Sequence, residues 1–328
     1  LVIGLEKGNG IFGSEVTDFV REGQPVGSRM RFLVFRDFSY FIWENILKIK
    51  SRREAVIVKD RETGTEGSDT SKPSFRLPFL FPTITEKPPA YNNIKAFRII
   101  ERALEDLGNL DKNLSYHSIK HTENVMKTVY DLAVADNLSP RKVELLVVAA
   151  AYHDWGYLET SRHNEPIGAR KAVWEMIKSG KYFLSGMVKV GRAISATALE
   201  KNKDGVLVQN PRTELGKYLC DADLSGFGRP RFFNDSLNVL KEMNGPNISN
   251  GADLLNNKDK VLSFLQSTLT MMEAHTYQTP AAKADFDSQK EVNTQRLRDL
   301  VSALENNDQV QVNSIFDLMT KTESAEAP

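Results

Sequence analysis

Leu145-Leu146-Val147-Val148-Ala149-Ala150-Ala151-Tyr152-His153-Asp154-Trp155-Gly156 is the stretch whose reading decides the fold. Eight consecutive apolar or aromatic residues, 145–152, describe a helix buried on nearly all sides. An imidazole and a carboxylate stand side by side at its end. An ionised carboxylate in such surroundings needs a cation, a partner or a raised pKa, because burying its charge alone is very costly. A divalent metal meets that need and takes both groups as ligands. Hydrogen bonding at a frayed helix end is the plainer alternative.

Outward from this stretch the pattern stays helical from residue 92 onward. Candidate helices cover 92–109, 115–136, 140–155, 165–179, 186–199, 212–224, 229–243, 257–274 and 285–305. Gly108, Ser139-Pro140, Gly156, Gly180 and Gly226 supply stop signals between them. The polar segment 201–211 reads as an exposed loop, and no alternating strand pattern of useful length appears. Residues 91–305 are therefore read as one all-α domain, followed at 306–328 by a C-terminal helix and a disordered tail.

Residues 1–90 differ and read as a small mixed or irregular region. β-Favouring runs occur at 31–35 and 55–58, and a Gly-, Ser-, Thr- and charge-rich stretch forms a linker near 60–76. Pro78, Pro82, Pro88 and Pro89 follow. No repeat or chemical motif is present there. The apolar stretch 33–47 is interrupted by Arg36, Asp37 and Glu44, too short to span a bilayer, and reads as a helix lying on a core.

Composition sets outer bounds. The 328 residues are 41% hydrophobic and 26% charged, as in an ordinary globular protein. Lys plus Arg and Asp plus Glu number 43 each, so no overall charge points to nucleic acid or membrane. A single cysteine, Cys220, forbids an intrachain disulfide, and no secretory signal is evident; a reducing, cytoplasmic location is expected. The chain opens at Leu1 rather than Met, which suggests a natural start further upstream.

Two further segments carry chemistry. In Tyr116-His117-Ser118-Ile119-Lys120-His121-Thr122 two histidines stand four apart, a spacing that stacks side chains on one helical face. That face continues through Val125, Val129 and Leu132, so His121 points inward. A lone histidine there is ordinarily a satisfied core residue; two, in a chain with five, point to a site. In Leu219-Cys220-Asp221-Ala222-Asp223-Leu224 the two carboxylates lie about 200° apart on a helix. Asp223 shares the apolar side with Leu215, Leu219 and Ala222 and is assigned to the interior. Asp221 falls below Lys217, with which it can pair, and is assigned to the surface or to support of the ligands. Imidazoles with carboxylates suit Mn, Fe, Co, Ni or Zn better than Mg alone, and such a set leaves positions open for catalysis.

Taken in order, Tyr116-His117-x-x-x-His121-Thr122, Ala150-Ala151-Tyr152-His153-Asp154-Trp155-Gly156-Tyr157 and Asp221-Ala222-Asp223-Leu224-Ser225 resemble the HD-domain superfamily of metal-dependent phosphohydrolases, over roughly 91–300. The first and third motifs also resemble the cyclic-nucleotide phosphodiesterases of that helical superfamily. The resemblance implies an HD-domain helical bundle with a divalent transition metal held by His121, His153, Asp154 and Asp223. It implies catalytic roles for Asp154 and for His117, the latter as proton donor to the leaving oxygen. The activity implied is hydrolysis of a phosphomonoester or phosphodiester, a nucleotide or cyclic nucleotide included, by metal-activated water. The partner expected is thus a small phosphorylated substrate.

His163 stands where family members often carry a histidine for a second metal, to which Mg would be suited, or for phosphate. It precedes Glu165-Pro166, which opens a helix whose N-terminus welcomes an anion. Lys120 can reach a substrate phosphate, and Arg192, Arg229 and Arg231 are further cations near the motifs. Dinuclear relatives use more histidines, so one firmly held metal is expected here. The same scarcity counts against a di-iron oxygenase on this scaffold. The other competing reading is a catalytically silent nucleotide-binding regulatory module. The segment 275–280 reads as a cap on the pocket, with His275 not a ligand.

Overall fold

The computed structural model describes residues 16–19, 30–33 and 94–321. The chain divides into two compact units, Leu1–Ser74 and Phe75–Pro328. In the first, β1 (Val16–Phe19) pairs antiparallel with β2 (Met30–Leu33), Val16 opposite Leu33. The β-favouring run at 31–35 thus contributes 31–33 to β2. The expectations for 34–47, 55–58, the linker near 60–76, the four prolines and the tail after 321 lie outside the described residues.

The second unit is helical apart from one small hairpin, among the described residues. Its first half contains α1 (Ile94–Leu107), α2 (Ile119–Ala135), α3 (Pro140–Tyr152), α4 (Glu165–Ser179), α5 (Leu184–Ser195) and α6 (Glu214–Asp223). The central element is α3, packed by α1, α2, α4, α5 and α6, as its unbroken apolar run requires. Leu146, Val148, Ala149 and Ala150 on it are fully buried. Tyr152 ends the helix and donates through its hydroxyl to the Ile99 carbonyl at 2.9 Å, which ties α1 to the core. A 3-10 turn over Trp155–Leu158 follows. It lies against α4 because two residues lack side chains. A Cβ on Gly156 would sit 2.0 Å from the Asn164 carbonyl oxygen, and one on Gly168 would sit 2.3 Å from that of Tyr152.

Three expectations are corrected here. The helix expected from 115 begins at Ile119, because Ser118 caps it, its hydroxyl accepting from the His121 N–H. His117 therefore precedes the helix instead of sharing a helical face with His121. The segment read as an exposed loop contains a hairpin, β3 (Leu199–Lys201) with β4 (Leu207–Gln209), Leu199 opposite Gln209. Three-residue strands carry too little alternation to stand out in sequence. Asp221 is buried, 1% exposed, and pairs not with Lys217 but with the later segment at 278–279.

Beyond α6 a second 3-10 turn, Leu224–Gly228, leads into α7 (Phe232–Glu242), α8 (Gly251–Asn256), α9 (Lys258–Ala274), α10 (Pro280–Glu305) and α11 (Gln309–Lys321). These five helices share an apolar core of their own, with Phe233, Leu254, Leu265, Leu297, Leu304 and Phe316 at its heart. The helix expected from 285 starts at Pro280, behind a Thr279 cap, and the short α8 had no sequence counterpart. The C-terminal helix expected within 306–328 is α11. No described helix is long and apolar enough to cross a membrane.

Candidate metal centre

Each proposed ligand sits at the end of a helix that the core holds rigidly. His121 is in the first turn of α2, fixed by the Ser118 cap and by the buried stripe Val125, Val129 and Leu132 below it. His153 and Asp154 follow the last residue of α3, and Asp223 is the last residue of α6. Because α2 packs on both α3 and α6, the three ends converge.

His121 Nε2 and His153 Nε2 lie 3.3 Å apart. Asp154 Oδ2 is 3.4 Å from the first and 3.1 Å from the second. Asp223 Oδ1 is 3.3 Å and 3.4 Å from the same two nitrogens. Ligands at metal bonds of about 2.0–2.2 Å stand about 2.8–3.6 Å from their neighbours, so all five separations fit a coordination shell. His121, His153 and Asp154 form the tight group, their donor atoms all within 4.8 Å of one another. Asp223 is not within that mutual distance of all three, and joins through the two imidazoles.

The protonation pattern favours a cation. The His153 Nδ1–H donates to the Ala150 carbonyl at 2.8 Å, so a neutral His153 presents a bare lone pair at Nε2. That lone pair faces a second imidazole and two carboxylate oxygens, and Asp154 Oδ2 is buried with no hydrogen-bond donor. Burial alone would push the His153 pKa down, yet Asp154 and Asp223 push it well above the ordinary value. Burial likewise opposes ionisation of Asp154 and Asp223, but the histidines around them hold both carboxyls below the usual range. The cluster thus calls for positive charge at its centre, and a divalent ion fits its donor chemistry.

Beside the centre lies His117, its ring centroid 6.0 Å from that of His121. Its Nδ1 is bonded to Glu242, and its Nε2 is 3.2 Å from the Tyr157 hydroxyl, with the two rings stacked at 4.3 Å. Glu242 also accepts from the N–H groups of Tyr116 and His117, which keeps this backbone out of α2. Burial lowers the His117 pKa, but the Glu242 hydrogen bond and nearby carboxylates outweigh it, and the net shift is upward. Tyr116 packs on His121 at 4.6 Å between centroids.

The other candidates stand apart. His163 is exposed, with a left-handed φ of 54°, and Lys120 is exposed on the first turn of α2. The structure joins neither to the four ligands by a hydrogen bond or ion pair. Arg229 is turned inward onto Ser225 and Thr128, and Arg231 pairs with Asp235 at 3.1 Å. His275 bonds none of the ligands; it is wedged between Phe227 and Tyr277. Three contributors had no role in the sequence reading. Tyr157 lay within the quoted motif, Glu242 at the charged end of a later helix, and Gln209 in the presumed loop. Gln209 Nε2 donates to Asp223 Oδ2 at 2.7 Å.

Fold and donor set define a helical domain with a buried His/Asp centre of the kind that holds a divalent cation. Residues 118–225 match the family model of the HD domain, and this part of the chain is an HD domain. The match opens at the Ser118 cap and closes just after Asp223, so it encloses all four proposed ligands. Among solved structures, a predicted HD superfamily hydrolase from an uncultured Thermotogales bacterium aligns with 53% of this chain and 90% of its own, at 20% identity and a TM-score of 0.35. A protein from Lactobacillus plantarum aligns with 66% of this chain and 97% of its own, at 15% identity and a TM-score of 0.44. No curated protein matches the sequence.

Proposed function

We propose that the domain is a metal-dependent phosphohydrolase acting on a small phosphomonoester or phosphodiester, with nucleotides and cyclic nucleotides the first substrates to test. The observation that carries this reading is the convergence of His121, His153 and Asp154, with Asp223 against both imidazoles, next to a histidine held by a carboxylate. A divalent transition metal (Mn, Fe, Co, Ni or Zn) held there would lower the pKa of a bound water and polarise the phosphoryl oxygens. The water, once it has lost a proton to solvent, bonds through its oxygen to phosphorus as the ester P–O bond breaks, and the leaving oxygen takes a proton from His117 Nε2. Glu242 holds the opposite nitrogen of His117 and so aims the donor. Lys120, exposed one residue before His121, and His163 are assigned to the incoming phosphate or to a second cation such as Mg. The single cysteine, buried Cys220, fits a reducing cytoplasm.

Two observations weigh against the competing readings. All four ligand positions are intact, whereas loss of one is the simplest way to silence such a domain. A di-iron oxygenase on this scaffold would use more histidines, and among the described residues His121 and His153 are the two in the cluster. The test is a phosphatase and phosphodiesterase screen over nucleotides with Mn, Ni, Co, Mg and Zn, run beside Asp154→Ala. Metal-dependent release of phosphate or a nucleoside monophosphate is expected, abolished in the variant. Equal turnover by Asp154→Ala would overturn the assignment.

A further inference from the structure

Asp223 is a peculiar ligand in that its carboxylate is already spoken for on one side. Its Oδ2 accepts from Gln209 Nε2, which also donates to the Thr197 carbonyl at 2.9 Å. Both partners can only accept, so the amide must present its nitrogen to them, and its orientation follows from chemistry alone. The carbonyl anchor is firm: Thr197 is buried just past the end of α5, its hydroxyl bonded to the Ile194 carbonyl. With Oδ2 taken, Oδ1 is the oxygen turned to His121 and His153.

We propose that Gln209 is a positioning residue of the metal centre: it locks the Asp223 carboxylate so that Oδ1 faces the cation. This rests on the metal-centre reading above. The β3–β4 hairpin is then not a passive loop but the arm that delivers this amide, with β4 braced by α9. The amide is also poorly accounted for by packing alone. Its Oε1 is buried with no hydrogen-bond partner, a cost that an apolar residue would avoid. Outer groups that hold a metal ligand typically change affinity by about 10–100-fold when removed.

Mn2+ binding to the full chain, measured by calorimetry and by loss of the free-ion paramagnetic resonance signal, tests this. Gln209→Met keeps the length of the side chain and removes both donors; Gln209→Ala, at a half-buried position of the hairpin, is the second variant. Both are expected to bind Mn2+ about 10–100-fold more weakly, with the melting temperature of the chelated protein unchanged. The visible spectrum of bound Co2+ should shift as Asp223 loosens. Wild-type affinity in both variants overturns the role of Gln209 while leaving the metal centre standing. Equal destabilisation of the chelated and loaded forms, with affinity retained, makes Gln209 structural and also overturns it. A wild-type chain that binds neither Mn2+ nor Co2+ sinks the metal centre itself.

Discussion

As the proposed proton donor, His117 owes the proton it carries to a residue that lies outside the family match. Asp154, Asp223 and Glu242 all favour its charged form. A cation between the two aspartates would cancel much of their pull, which leaves Glu242 to keep the imidazole protonated. A general acid works only below its pKa, so activity should fall as pH rises through that value. In Glu242→Gln the oxygen that receives the Tyr116 and His117 N–H groups remains, but the charge is gone. The alkaline limb of the pH–rate profile is expected to move to lower pH, with metal affinity unchanged; an unmoved limb would remove Glu242 from the proton path. His117→Ala should cost about 100-fold or more in kcat. At this scale the convergence of His121, His153 and Asp154 was legible in sequence, because an imidazole or carboxylate at an apolar helix end is costly to bury without a cation or a partner. Tyr157 and Glu242 were not legible, since their meaning comes from touching His117 from 40 and 125 residues away.

At the scale of elements, α6 shows what a helical wheel can and cannot give. The wheel correctly sets Asp221 and Asp223 on opposite sides. It could not show that the side away from the site is covered too, by the turn that leads into α10. There Asp221 accepts from the N–H groups of Gln278 and Thr279 and from the Thr279 hydroxyl, at 2.7–3.1 Å. Thr279 in turn caps α10, accepting from the Ala282 N–H. Asp221 therefore fastens the end of α6, which carries Asp223, to the start of α10. Asp221→Ala leaves two backbone donors and a hydroxyl facing an empty place. A loss of about 3 kcal/mol is expected, read as a lower urea midpoint with unchanged slope; a midpoint within error of wild type would mean the contact carries no weight. The hairpin and α8 went unread for a related reason. Segments of three to six residues bury too few side chains to leave a period.

For the whole molecule, the HD domain and the C-terminal helices have separate cores yet share a seam. Glu242 crosses it toward His117, Asn293 on α10 donates to the carbonyls of Phe227 and Arg229, and Tyr277 donates to that of Leu224. His275 lies in this seam, edge-on to Phe227 and Tyr277 at 5.4 and 4.6 Å, with Nδ1 buried and unpartnered. Burial, aided by the nearby Lys290 ammonium, pushes its pKa down to about 3. The folded chain therefore keeps this imidazole neutral where the unfolded chain, near 6.5, takes up a proton. The unfolded state binds more protons between those values, so stability contributed by His275 is whole above about 6.5 and drains away as pH falls toward 3. His275→Phe keeps the ring contacts and removes the titration. Between about pH 7 and about pH 4.5 the variant should lose about 2 kcal/mol less stability than wild type in parallel denaturant titrations. Equal losses in the two proteins would show that His275 is solvated or paired in the fold, and the acid sensitivity of the seam would have to come from its carboxylates.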